Sequence, residues 1–230
     1  MAIKRKQVKK DDETLINLAT ARTKLSIFFE HNQKIILGII AGIVLIVGGW
    51  FVYHNLIMQP KEEKAMAQMW MAQVQFEQDS FNVALANPGG GYSGFIKIIS
   101  DYKGTKAANL SNYYAGICYL NLGNFDSALS FLNDFKPNGI IGPVMKHGAL
   151  GDVYSELNQM DKAVENYKKA AEASENELLT PYYFKKLAML YETQNEYSKA
   201  LEIYKKIKSK YPNSNEALSI DKYIARAEAR

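Results

Sequence analysis

Cysteine occurs once in this chain, at Cys118, and histidine three times, at His31, His54 and His147. A lone cysteine closes no internal disulfide, so an oxidising compartment is permitted but not demanded. Its apolar neighbours in Tyr113–Leu120 predict a small buried hydrophobe. The histidines are scattered over a tail, the end of an apolar run and a helical repeat. No two share ligand spacing, so no metal centre is expected. A G-x-S-x-G elbow, a Walker loop and a nucleophile with a nearby base are also missing, and the chain reads as non-enzymatic with no cofactor. One G-x-G-x-x-G does occur, at Gly89, Gly91 and Gly94. Helical patterns flank it where a dinucleotide site needs a strand, so it reads as a flexible connection.

Excess charge is missing from most of the chain. Residues 1–34 hold eight Lys or Arg against four acids, whereas beyond residue 34 twenty basic and twenty acidic residues cancel. The large remainder offers no basic patch for nucleic acid.

The stretch that organises the chain is Ile35–Tyr53, nineteen residues without a charge, twelve of them Ile, Leu, Val or Phe. As a helix it is about 28 Å long, close to a bilayer core of about 30 Å. A soluble core helix rarely runs so far without a polar face. A cleaved signal peptide fits poorly, because the run is too long, 34 residues precede it, and Ala65-Met66-Ala67 lies too far beyond it. A transmembrane helix over 35–57 is therefore expected. The positive-inside rule puts residues 1–34 in the cytoplasm and the C-terminal domain outside, which in a bacterium is the periplasm, on a single-pass inner-membrane protein. The basic tail would touch anionic membrane lipid. Two readings of Thr14–Asn32 stay open: a short interfacial helix, or a tail that becomes helical only near the span. Trp50 and Tyr53 suit the outer interface. Gly38, Gly42 and Gly49 share one helix face and mark a surface that another membrane helix can approach.

After Pro60, the sequence predicts a long amphipathic helix from Lys61 to about Ala86, with Met66, Met69, Trp70, Val74, Phe81 and Leu85 toward a core. The Pro88–Gly91 break follows, then a helix over Phe95–Tyr102, making 61–107 a degenerate helical pair. Beyond Ala108 the chain repeats itself. Gly116-x-x-Tyr119, Gly123-Asn124-Phe125 and Ala128-x-x-x-Leu132 return as Gly151-x-x-Tyr154, Asn158-Gln159-Met160 and Ala163-x-x-x-Tyr167. They return again as Ala188-x-x-Tyr191, Asn195-Glu196-Tyr197 and Ala200-x-x-x-Tyr204. Tyr119, Tyr154 and Tyr191 are 35 and 37 residues apart. This pattern resembles the tetratricopeptide repeat (TPR) family, whose period is about 34.

The fold class expected is therefore all-α: one N-terminal transmembrane helix, a TPR α-solenoid with three repeats over 108–214, and a capping helix over 215–230, beginning near Glu216 with Ala217, Ile220, Ile224 and Ala227 on one face. The TPR resemblance implies an inner surface for protein segments. Motif spacing assigns to it Tyr113, Ile117, Asn121, Met145, Asp152, Tyr182, Lys185 and Met189. That lining lacks the clustered cations that clamp a chain-end carboxylate.

Phe28–Lys34, followed by Gly38, Gly42 and Gly49-Trp50, is similar to the junction in YfgM-type ancillary subunits of the SecYEG translocon. The resemblance implies a non-enzymatic adaptor beside the Sec channel that receives or hands over exported polypeptides and periplasmic chaperones. A scaffold of another inner-membrane, envelope or secretion complex is the alternative. The tyrosine-rich repeats with Asp101–Lys106 resemble a TPR group common in Bacteroidetes.

Overall fold

A computed structural model describes the backbone of residues 2–230 and the side chains of Lys24 and residues 27–230. The lysines and arginine of the first ten residues, and Leu15, Leu18 and Leu25 of the expected interfacial helix, have side chains outside the described residues. Among the described residues every regular element is a helix, with no strand. Packing divides it into two units that meet between Gln59 and Pro60.

The first unit is built on α1 (Ala2–Tyr53), which passes into a π-helical turn at His54–Met58. Its apolar residues face outward: Leu45 is 76% and Ile46 74% exposed. The helix is long and apolar enough to cross a membrane. Polar side chains sit near both ends of the apolar run. The Asn32 amide donates to the Phe28 carbonyl at 2.9 Å and the Asn55 amide to the Phe51 carbonyl at 3.0 Å. Trp50 stacks on His54, ring centroids 5.3 Å apart.

The second unit comprises α2 (Gln59–Glu77), α3 (Phe81–Ala86), α4 (Phe95–Asp101), α5 (Lys106–Asn121), α6 (Phe125–Asp134), α7 (Ile141–Glu156), α8 (Met160–Glu172), α9 (Leu179–Thr193), α10 (Tyr197–Lys210) and α11 (Ile220–Glu228). From α4 onward each helix packs chiefly on its neighbours in sequence, as in a solenoid. The core is accordingly a series of clusters. Phe95, Ile98, Ala115 and Cys118 lie in one, Leu132, Ala149 and Val153 in the next, then Ala163, Tyr167 and Leu187, then Ala188, Tyr204, Ile207 and Ile220. Cys118 is fully buried, the small-hydrophobe role expected of it.

The repeated small residues work as close-approach points. A β-carbon added at Gly116 would lie 2.6 Å from Leu132 Cγ, and one at Gly151 2.5 Å from Tyr167 Cδ1. The repeated turns also share one mechanism. Gly123, Asn158 and Asn195 have φ of 72°, 55° and 61°. In each case the next amide donates back to the carbonyl of a motif tyrosine: Asn124 to Tyr119, Gln159 to Tyr154 and Glu196 to Tyr191, all at 2.9 Å. These are Schellman closures, and a left-handed residue is what they require.

The same closure corrects the expectation of one helix from Lys61 to Ala86. Asp79 adopts φ 55°, and the Ser80 amide reaches the Gln75 carbonyl at 2.9 Å, so α2 ends at Glu77 and a separate α3 follows. Aspartate tolerates the left-handed region, which hides the turn inside an otherwise helical pattern. The buried stripe of α2 is also shifted: Ala65, Met69 and Ala72 face the core, whereas Met66 and Trp70 are exposed. Beyond α3, three successive glycines with positive φ turn the chain. A β-carbon at Gly94 would overlap the backbone of Leu85 and Ala86. At the C-terminus, Ala217–Ser219 form a 3-10 turn, so α11 starts at Ile220 and not near Glu216.

Candidate partner-binding site

The first helices of the three repeats, α5, α7 and α9, present one continuous face that α11 extends. At its centre Asp152 of α7 accepts a hydrogen bond from Tyr167 Oη at 2.7 Å and one from Lys186 Nζ at 2.6 Å. Both partners of the Asp152–Lys186 pair are 30% exposed, so the pair is only partly wetted. Lys186 also lies over the rings of Tyr182 and Tyr167, 5.2 and 5.6 Å from their centroids. Burial pulls the Lys186 pKa down, but the charge and hydrogen bond of Asp152 outweigh it, and the net direction is up. Tyr113 on α5 is pushed up to about 12, mainly by burial and then by the negative charge of Asp152. Tyr167 and Tyr183 are raised for the same two reasons among others.

Two clefts share this centre. One, of about 560 Å3, is lined by Asn121, Asp152, Glu156, Tyr167 and Lys186. The other, of about 540 Å3, is lined by Tyr167, Lys186, Met189, Glu192 and Arg226. Ser155 borders both. At the α11 end, Arg226 grips Glu192 of α9 through Nε, at 3.1 Å, and through a second guanidinium nitrogen, while Tyr204 Oη donates to the same carboxylate at 3.1 Å. The Glu192 side chain is only 11% exposed, so its pairing ties α11 to the last repeat. The Tyr223 ring of α11 collects cations, with Lys185, Lys222 and Arg226 all within about 5 Å of its centroid.

The residues assigned from motif spacing fall into distinct surroundings. Asn121 and Asp152 line one cleft and Met189 the other. Tyr113 lies close enough to Asp152 for the carboxylate's charge to act on it, and the Tyr182 ring lies against Lys186 Nζ. Lys185 turns away toward Tyr223. Ile117 packs against the core around Leu132 and Val153, and the half-buried Met145 is in the lining of neither cleft. Sequence reasoning missed Tyr167, Lys186, Glu192 and Arg226. Tyr167 belongs to a second helix and reaches the face only because Gly151 leaves room for its ring. Lys186 and Lys185 are adjacent in sequence and helical phase alone separates them. On α1, β-carbons at Gly38, Gly42 and Gly49 would meet nothing within 4 Å.

Models of the tetratricopeptide repeat match residues 111–136, 147–177 and 186–214, the segments spanned by α5–α6, α7–α8 and α9–α10. The chain carries tetratricopeptide repeats. The TPR solenoid is also similar to a crystal structure of nearly identical TPR-like repeats assigned to a kinesin light chain of Podosopora anserina. The TM-score is 0.56 at 15% identity, over 73% of this chain and 86% of that one, a likeness of fold alone. Comparison with curated proteins finds no match. TPR repeats imply a protein–protein interaction scaffold, a fold that typically has no enzymatic role.

Proposed function

We propose that this protein is a single-pass, membrane-anchored TPR scaffold whose α5–α7–α9 face receives an extended protein segment. The observation that carries this reading is the internal neutralisation of the face. Lys186 is paired with Asp152 and Arg226 with Glu192, while Tyr113, Tyr182 and Met189 supply apolar and aromatic surface. Such a lining favours uncharged, aromatic-tolerant segments over a carboxylate terminus. Residues 35–57 serve as the anchor. The charge asymmetry across them supports a cytoplasmic N-terminus and a periplasmic repeat domain at a bacterial inner membrane. Replacing Tyr113 and Tyr182 together by alanine should abolish recovery of a soluble partner with helicity retained. Unchanged recovery would move the site off this face.

The narrower reading places the scaffold beside the Sec translocon, handling exported polypeptides or a periplasmic chaperone. It is favoured by the Phe28–Lys34 junction and the Gly38–Gly42–Gly49 face, which suits contact with a partner helix. Crosslinking in intact cells, followed by mild-detergent purification, should recover the Sec channel. Recovery of a different envelope assembly alone would replace it with the scaffold of another secretion or envelope complex.

A further inference from the structure

Short Schellman turns after Leu122, Leu157 and Gln194 fold the repeats into antiparallel pairs, so their two kinds of connection lie on opposite edges. The tight turns line one edge and the inter-repeat loops the other. The loop edge begins at 103–106 and continues through 135–140, 173–178 and 211–219. Its members touch. The Asn109 side chain donates to the Lys136 carbonyl at 2.7 Å and accepts from the Lys136 amide at 2.8 Å, and the carboxylates of Glu175 and Glu177 act on the Tyr211 hydroxyl.

Two independent features distinguish this edge. The first is apolar exposure. Among the described residues from Pro60 onward, the three most exposed large hydrophobics are Leu218 at 84%, Ile140 at 72% and Leu178 at 65%, and each occupies a different inter-repeat loop. They recur at 38 and 40 residues, once per repeat, just ahead of a first helix. The second is the tether. Lys61 Nζ donates to the Lys103 carbonyl at 2.8 Å, and Glu62 accepts from the Lys106 and Ala107 amides at 2.6 and 2.9 Å. Glu62 lies five residues past Ile57, a reach of about 17 Å even for extended chain. The first loop of the edge is thus held by residues that follow the apolar run directly in the chain.

We propose that the loop edge is a membrane-contact surface, with Ile140, Leu178 and Leu218 inserted at the headgroup–acyl boundary so that the solenoid lies along the bilayer. This rests on residues 35–57 spanning the membrane. Lys103, Lys106 and Lys136 cluster beside the tether and suit lipid phosphates there. Glu175 and Glu177 precede Leu178, so contact at that loop is apolar and does not require anionic lipid. Laying the solenoid down leaves the α5–α7–α9 face open to a partner passing beside the membrane.

The test is fluorescence quenching of the full chain reconstituted in phosphatidylcholine vesicles that carry acyl-chain nitroxides. Single probes go on Ile140→Cys, Leu178→Cys and Leu218→Cys, on Asp161→Cys and Ser198→Cys at the opposite edge, and on Leu45→Cys within the apolar run. The buried Cys118 stays unlabelled. Quenching at 140, 178 and 218 should exceed that at 161 and 198 by about threefold or more, as for probes inside against outside the interfacial zone. Ile140→Asp together with Leu178→Asp should then release a probe on Leu218→Cys, with helicity unchanged. Equal quenching on both edges with a quenched Leu45 probe overturns the edge and leaves the span standing. An unquenched Leu45 probe overturns both. Probes shielded in proportion to protein concentration without lipid quenching assign the row to a second copy of the chain and overturn the proposal.

Discussion

The Tyr183 ring on α9 fills the space above Gly148 on α7, where a β-carbon would overlap its hydroxyl and ring edge. Consecutive repeats are locked at this point. Gly148→Ala should therefore destabilise the domain by about 1–3 kcal/mol, the usual cost of overpacking. Denaturant titration checks it. Tyr183→Ala introduced alongside should relieve part of the loss, and strict additivity of the two would show that they do not meet.

The Asp152–Lys186 pair gives a second test. Asp152→Asn leaves a half-buried ammonium without its counter-charge and weakens the Tyr167 hydrogen bond, for a cost of about 1–3 kcal/mol. Lys186→Met in the same chain should recover part of that, because removing both charges avoids an unpaired one. A double-mutant cycle reads the coupling, and a coupling near zero would mean that solvent already screens the pair.

Glu192 governs the C-terminal helix. With Glu192→Gln, Arg226 loses its ion pair and Tyr204 a charged acceptor, so amides in Ile220–Glu228 should exchange faster while those in α7 keep their protection. Hydrogen exchange resolves the two segments, and equal acceleration in both would point to global destabilisation.

High pH should unfold the domain earlier than its lysine content suggests. Tyr113, Tyr167, Tyr183 and Tyr204 are all raised, with burial the largest cause of each. A raised folded-state pKa means that the native state holds protons the unfolded chain gives up. Their contribution is intact below pH 10 and is lost as pH climbs beyond it, at up to roughly 1.4 kcal/mol per pH unit for each group. Melting temperature should hold between pH 7 and 9 and fall steeply above 10. Tyr167→Phe should flatten that fall.

On α1, Gly42→Leu should weaken recovery of an inner-membrane partner without altering the repeat domain, if the glycine face packs on another helix. Unchanged co-purification would leave that face to lipid.

What the sequence determined by itself was local. The apolar run at 35–53, the glycine–alanine spacing and the Gly123, Asn158 and Asn195 turns were legible because each depends on residues within one or two helical turns. A Schellman closure spans six residues, and a small residue every repeat needs no knowledge of its partner. Tertiary structure decided the rest. Asp152 meets Lys186, and Glu192 meets Arg226, each across 34 residues, and a choice between Lys185 and Lys186 turns on one helical step of about 100°. On α2 the buried stripe runs through Ala65, Met69 and Ala72, with Met66 and Trp70 outside it, because the facing helices set its rotation. Periodicity tells that a helix has an apolar side, but only the neighbours it packs against decide which residues are covered.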